Sequence, residues 1–114
     1  MAVPPATFDI LEADRDGRLC LTLTGELDRS AVPRLEDRLI RLRAVRSPVC
    51  LDLSRLEFID SSGIHLLVQT IGEGRLKRWE VEIDPHLSPQ VERLFRLVHL
   101  DRFVLSPNGR KSRN

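Results

Sequence analysis

The segment Leu51-Asp52-Leu53-Ser54-Arg55-Leu56-Glu57-Phe58-Ile59-Asp60-Ser61-Ser62-Gly63-Ile64 constrains the fold more than any other part of the chain. It reads as a buried strand, a short turn, and then two hydroxyls at the mouth of an apolar helix. Asp60, Ser61 and Ser62 are residue types that cap helix N-termini well. Such a terminus carries partial positive charge and free backbone N–H groups, so it tolerates an anion. An exposed serine there can accept a phosphate without disturbing its own fold.

The elements around this segment alternate between strand and helix patterns. Residues 7–13 read as a first strand, and Asp14-Arg15-Asp16-Gly17 as a hairpin turn. Arg18 to Leu27 is a second strand, in which Leu19, Leu21 and Leu23 alternate with Cys20, Thr22 and Thr24. Gly25 breaks the side-chain pattern at a point where another backbone can approach closely. Ser30 is placed to cap a first helix, which carries Val32, Leu35, Leu39 and Leu42 on one face and ends near Arg46, ahead of Pro48.

Val49 to Leu53 reads as a third strand, and Ser62 to about Leu76 as a second helix with a core stripe of Ile64, Leu67, Val68 and Ile71. Trp79 to Ile83 gives a fourth strand. Ser88 caps a third helix with Pro89 at its first position, and Leu87, Val91, Leu94, Phe95 and Val98 supply its buried stripe. Phe103-Val104-Leu105 reads as a last strand. The order predicts an α/β fold: a mixed sheet made of an N-terminal hairpin and parallel β-α-β units, packed with about three helices. The expected organisation is a flexible N-terminus over residues 1–6, one domain over 7–105, and a disordered basic tail over 106–114.

A chain of 114 residues with 18 basic and 17 acidic side chains makes no electrostatic case for binding nucleic acid. Its one basic cluster, Arg110-Lys111-Ser112-Arg113, reads as a solvated tail. No run approaches the ~20 apolar residues of a membrane helix, and the first residues lack the pattern of a signal peptide. A cytoplasmic protein without membrane insertion is expected. Cys20 and Cys50 belong to no metal-ligand or redox spacing and read as buried free thiols.

Catalytic patterns are equally sparse. Gly72-Glu73-Gly74 lacks the spacing of a phosphate-binding loop, and no nucleophile elbow occurs. Ser61 and His65 stand four apart on one helix, but a hydrolase also needs an orienting acid and an oxyanion hole. His65 reads as a surface residue. His86 and His99 fit no ligand spacing, so neither metal nor cofactor is expected. Read alone, Asp60-Ser61-Ser62-Gly63 fits a plain helix cap as well as it fits a docking site. Gly63 costs about 1 kcal/mol in a helix relative to Ala, and its missing side chain would leave the adjacent backbone and hydroxyls open to a partner.

The Asp60-Ser61-Ser62-Gly63 turn, with Gly25-Glu26-Leu27-Asp28 before the first helix, resembles the STAS domain of bacterial anti-sigma factor antagonists. The run Leu87-Ser88-Pro89-Gln90-Val91-Glu92-Arg93-Leu94-Phe95, followed by Leu100-Asp101-Arg102-Phe103, carries the resemblance further. The similarity covers roughly residues 7–105. It implies that Ser61 is phosphorylated by an anti-sigma factor that is also a serine kinase, and that a serine phosphatase resets it. It implies a partner-binding surface of Asp28, Asp60, Ser62, Gly63 and Ile64, and a role in transcription regulation without enzyme activity. Two departures from the family pattern are expected: His99 stands where many relatives have Gly before Leu-Asp, and the final helix that many relatives possess is not expected after the last strand. A STAS accessory subunit of a lipid-transport ATPase, without phosphorylation, is the alternative, followed by a STAS scaffold or ligand-binding module.

Overall fold

The computed structural model describes residues 8–100. Two strands, β1 (Phe8–Arg15) and β2 (Arg18–Leu27), form the hairpin. They are followed by α1 (Val32–Ala44), β3 (Val49–Ile59), α2 (Ser61–Lys77), β4 (Val81–Ile83) and α3 (Pro89–Leu97). The sheet has the order β1-β2-β3-β4; β1 pairs antiparallel with β2, and the other two pairings are parallel. This is the mixed α/β arrangement that the sequence predicts. The expected strand at Phe103–Leu105, the basic cluster and both expected terminal segments, residues 1–6 and 106–114, lie outside the described residues.

The hairpin turns on Asp16 and Gly17, both at positive φ, as a tight connection between antiparallel strands requires. Along β2 and β3 the alternate residues Leu21, Leu23, Val49, Leu51 and Leu53 are fully buried. They form one core with Leu35, Leu39 and Leu42 of α1 and Leu66, Leu67 and Ile71 of α2. The amphipathic face expected for α1 is therefore its packing face, with Val32 partly buried at its edge. In α2 the stripe is rotated from the expected one: Leu67 and Ile71 are buried with Gly63, Leu66, Thr70 and Gly74, whereas Ile64 and Val68 are half-buried. Val91 and Phe95 of α3 are buried, but Val98 is largely exposed.

Strand β3 is longer than the sequence suggests. It continues through Arg55-Leu56-Glu57-Phe58 to Ile59, leaving Asp60 alone between strand and helix. The periodicity conceals this because the β2–β3 register shifts between Thr22 and Thr24 and again between Gly25 and Glu26. Leu56 thus falls out of the simple alternation and Ile59 returns to it, both buried. β4 is shorter than expected: Trp79 precedes it, buried, and donates its indole N–H to the Ser47 carbonyl at 2.7 Å.

Because β4 pairs only with Val49–Leu51, the second half of β3 has no strand on that side among the described residues. The Ser88 hydroxyl serves that open edge by donating to the Leu56 carbonyl at 2.6 Å. The same oxygen accepts the Val91 N–H at 3.4 Å and so caps α3, with Pro89 beginning the helix as the sequence indicates.

Candidate functional site

The parallel β2–β3 ladder ends at the pair Leu27 and Ile59. The next residue of each strand, Asp28 and Asp60, therefore emerges at the same end of the sheet. The C-terminal ends of parallel strands are where α/β folds present binding residues. Asp60 is the N-cap of α2: its Oδ1 accepts the Gly63 N–H at 3.1 Å and the Ser62 hydroxyl at 2.6 Å. Its Oδ2 accepts the Arg29 N–H at 3.2 Å, so the carboxylate also ties down the loop after β2.

Asp28 organises that loop. Its Oδ1 accepts the Ser30 N–H at 3.0 Å, the Ser30 hydroxyl at 2.7 Å and the Ala31 N–H at 3.1 Å. The expectation that Ser30 caps α1 is thereby corrected. The N-cap is Ala31, without a side-chain hydrogen bond, and the serine hydroxyl donates to Asp28. Hydrogen bonds stabilise both carboxylates as anions. The Ser30 hydroxyl lowers the Asp28 pKa most, whereas the nearby charge of Asp60 opposes the shift. For Asp60 the Ser62 hydroxyl is the largest cause of a lowered value, with burial opposing it.

Ser61 is the first residue of α2 and is exposed. Among the described residues its side chain makes no hydrogen bond, in contrast to Ser62, whose hydroxyl is committed to Asp60. Two hydroxyls that look interchangeable in sequence are thus different: one completes the cap and the other faces solvent. Ile64 is half-buried beside them, and His65 is exposed one turn after Ser61.

Gly63 does not leave backbone open to a visitor. It is buried, and a Cβ there would lie 2.7 Å from the Leu27 carbonyl oxygen and 2.8 Å from Ile59 Cγ1. A glycine is required so that the first turn of α2 can press onto the ends of β2 and β3. Gly63 is close to the site in sequence but contributes from beneath it. Sequence reasoning also missed Arg29, whose backbone link to Asp60 depends on strand pairing that no local motif encodes.

Among the described residues no group of three or more His, Cys, Asp or Glu side chains is arranged to hold a metal ion, and no helix is long and apolar enough to cross a membrane. The chemistry at this end of the sheet is that of a polar surface: two carboxylates beside an exposed hydroxyl at a helix N-terminus.

Comparison with known proteins gives the same architecture a family. The model of the STAS domain matches residues 9–112. An anti-sigma factor antagonist from Mycobacterium paratuberculosis superposes with a TM-score of 0.71 at 27% identity, over 90% of this chain and 86% of its own. The anti-sigma factor antagonist SpoIIAA in its unphosphorylated form has a TM-score of 0.64 at 24% identity, over 83% of each chain. The phosphorylated form of SpoIIAA, a Bacillus cell fate determinant, gives 0.63 at 23% identity, over 82% of this chain and 85% of its own. At these identities the SpoIIAA structures establish a common fold. No curated protein sequence matches the chain.

Proposed function

The chain belongs to the STAS-domain family, and on that footing we propose that it is an anti-sigma factor antagonist released from its partner by phosphorylation of Ser61. The observation that carries this reading is the exposed, uncommitted hydroxyl of Ser61 at the N-terminus of α2, next to two ionised carboxylates. The mycobacterial antagonist of like fold supports the partner class, and the two solved forms of SpoIIAA support a phosphorylation switch.

The docking surface consists of Asp28, Asp60, Ser61, Ser62 and Ile64, held in place by Gly63 beneath them. Unmodified protein binds the anti-sigma factor, in the cytoplasm, and frees a sigma factor for transcription. The anti-sigma factor, acting as a serine kinase with its own ATP, then transfers a phosphate to Ser61. The new group adds about −1.5 to −2 charges and three acceptor oxygens. Within the domain the helix N-terminus favours that charge. Under a docked partner, beside Asp28 and Asp60, it adds repulsion and desolvation cost. A penalty of about 3 kcal/mol weakens binding by roughly a hundredfold. A serine phosphatase restores the binding form, so the chain is a substrate and a competitor rather than a catalyst.

The test is to incubate the chain with serine-kinase anti-sigma factors encoded in neighbouring reading frames, with ATP, and map the phosphate by mass spectrometry. A single phosphate on Ser61 supports the reading. Phosphate on another residue, or none with any such kinase, contradicts it.

A further inference from the structure

The sheet brings its two cysteines side by side, far from the Ser61 surface in chemistry and independent of it. Cys20 and Cys50 are register partners in the parallel β2–β3 ladder. Their side chains leave the sheet on the face opposite Leu21 and Leu51, because successive residues of a strand alternate. Both line a surface cavity of about 330 Å³ with Arg15, Asp16 and Arg18 of the hairpin. Cys20 is 1% exposed and Cys50 is half-buried, and both are free thiols.

The spacing suits a covalent link. Neighbouring strands lie about 4.8 Å apart, inside the range of roughly 4.4–6.8 Å between Cα atoms joined by a disulfide. For the bond to form, the two Cβ atoms must approach to about 3.8 Å. The ladder is already irregular between Thr22 and Thr24, just beyond this pair. A bond that draws two strands together is under strain, and strained disulfides are the labile, easily reduced ones.

We propose that Cys20 and Cys50 form a reversible intramolecular disulfide, in which the half-buried Cys50 reacts first and the buried Cys20 resolves. The oxidant is a small disulfide such as oxidised glutathione. Cys50 loses its proton to solvent and its thiolate attacks one oxidant sulfur, which breaks that S–S bond and expels one glutathione thiolate. Cys20, deprotonated in turn, attacks Cys50 Sγ, forms the protein S–S bond and expels the second glutathione. Two protein thiols are oxidised by two electrons, and the oxidant disulfide is reduced to two thiols. Burial, and then the neighbouring Cys20, push the Cys50 thiol up to about 12, with Asp84 and Glu82 acting in the same direction. The thiolate is scarce near neutrality, so the exchange is slow there and accelerates as pH rises.

The experiment treats the reduced full chain with oxidised glutathione at mildly alkaline pH and follows intact mass and free thiols. The inference expects loss of two hydrogens with no glutathione retained, no thiol left, and full reversal by dithiothreitol. In Cys20→Ser the reaction should stop with glutathione on Cys50, while in Cys50→Ser the buried Cys20 should remain unmodified. A wild-type chain that keeps both thiols, that retains glutathione, or that joins to a second chain would overturn the inference. None of these results depends on Ser61.

Discussion

Leu27 and Gly63 lock the end of β2 to the first turn of α2, so closely that a Cβ on Gly63 would stand 2.7 Å from the Leu27 carbonyl oxygen. The same carbonyl accepts the Asp60 N–H at 3.2 Å. Backbone from two elements therefore fixes where α2 begins, and Ser61 is turned outward as a consequence. Gly63→Ala has no flexible neighbour to displace at Leu27. It should cost about 1–3 kcal/mol, the usual scale of overpacking, measured by urea unfolding. Its binding to an anti-sigma factor should weaken through displacement of α2. A substitution that leaves stability unchanged would mean the contact is looser than described.

Asp60 combines a cap with a charge, and the two separate experimentally. Asp60→Ala should cost about 1 kcal/mol, as the loss of an N-cap commonly does. Asp60→Asn keeps the oxygen that accepts from Gly63 and Ser62 and should cost less. Because the folded-state pKa lies below the ordinary value of 3.8, the unfolded chain takes up its proton first as pH falls. The charge-dependent stabilisation is thus complete above the ordinary Asp range and disappears as pH falls through the lowered folded value. Urea titrations on either side of that acid window should show a pH slope from this site in wild type that Asp60→Asn lacks.

Ser88 binds two elements with one hydroxyl, and its site is 7% exposed. Ser88→Ala removes the cap of α3 and leaves the Leu56 carbonyl without its donor. A loss of about 2–3 kcal/mol is expected. Ser88→Thr, which retains the hydroxyl, should lose less; equal losses would show that side-chain volume rather than hydrogen bonding sets the requirement.

His99 ends α3 at φ 59, with the Leu100 N–H donating to the Phe95 carbonyl at 2.9 Å. This is the left-handed closing position at which glycine is favoured. A glycine here would take the same conformation without the penalty of a side chain. His99→Gly should raise stability by about 0.5–1 kcal/mol, seen as a higher unfolding midpoint, and should not alter partner binding.

Much of this arrangement is legible in the sequence because the signals are local. The alternation of Leu19, Leu21 and Leu23, a hairpin turn and the Ser88-Pro89 helix start each depend on neighbouring residues and are found. The turn is tighter than the expected Asp14-Arg15-Asp16-Gly17, since β1 runs on to Arg15 and only Asp16 and Gly17 connect the strands. Features that depend on register are hidden. The extension of β3 to Ile59 crosses two irregular steps in its pairing with β2. The role of Gly63 requires knowing that Leu27 lies beneath it, and the meeting of Cys20 with Cys50 requires the whole β2–β3 alignment. For the same reason sequence alone could not distinguish Ser61 from Ser62: only the fold shows which hydroxyl turns back to Asp60.

The central claim is tested most directly by the dissociation constant of the cognate kinase anti-sigma factor for the unmodified chain and for the chain carrying phosphoserine at position 61. Circular dichroism should first establish that the two forms share a fold. The account predicts binding at least about a hundredfold weaker for the phosphorylated form, equivalent to about 3 kcal/mol, with Ser61→Asp also weakened and Ser61→Ala close to wild type. Equal affinity of the modified and unmodified chains would contradict it.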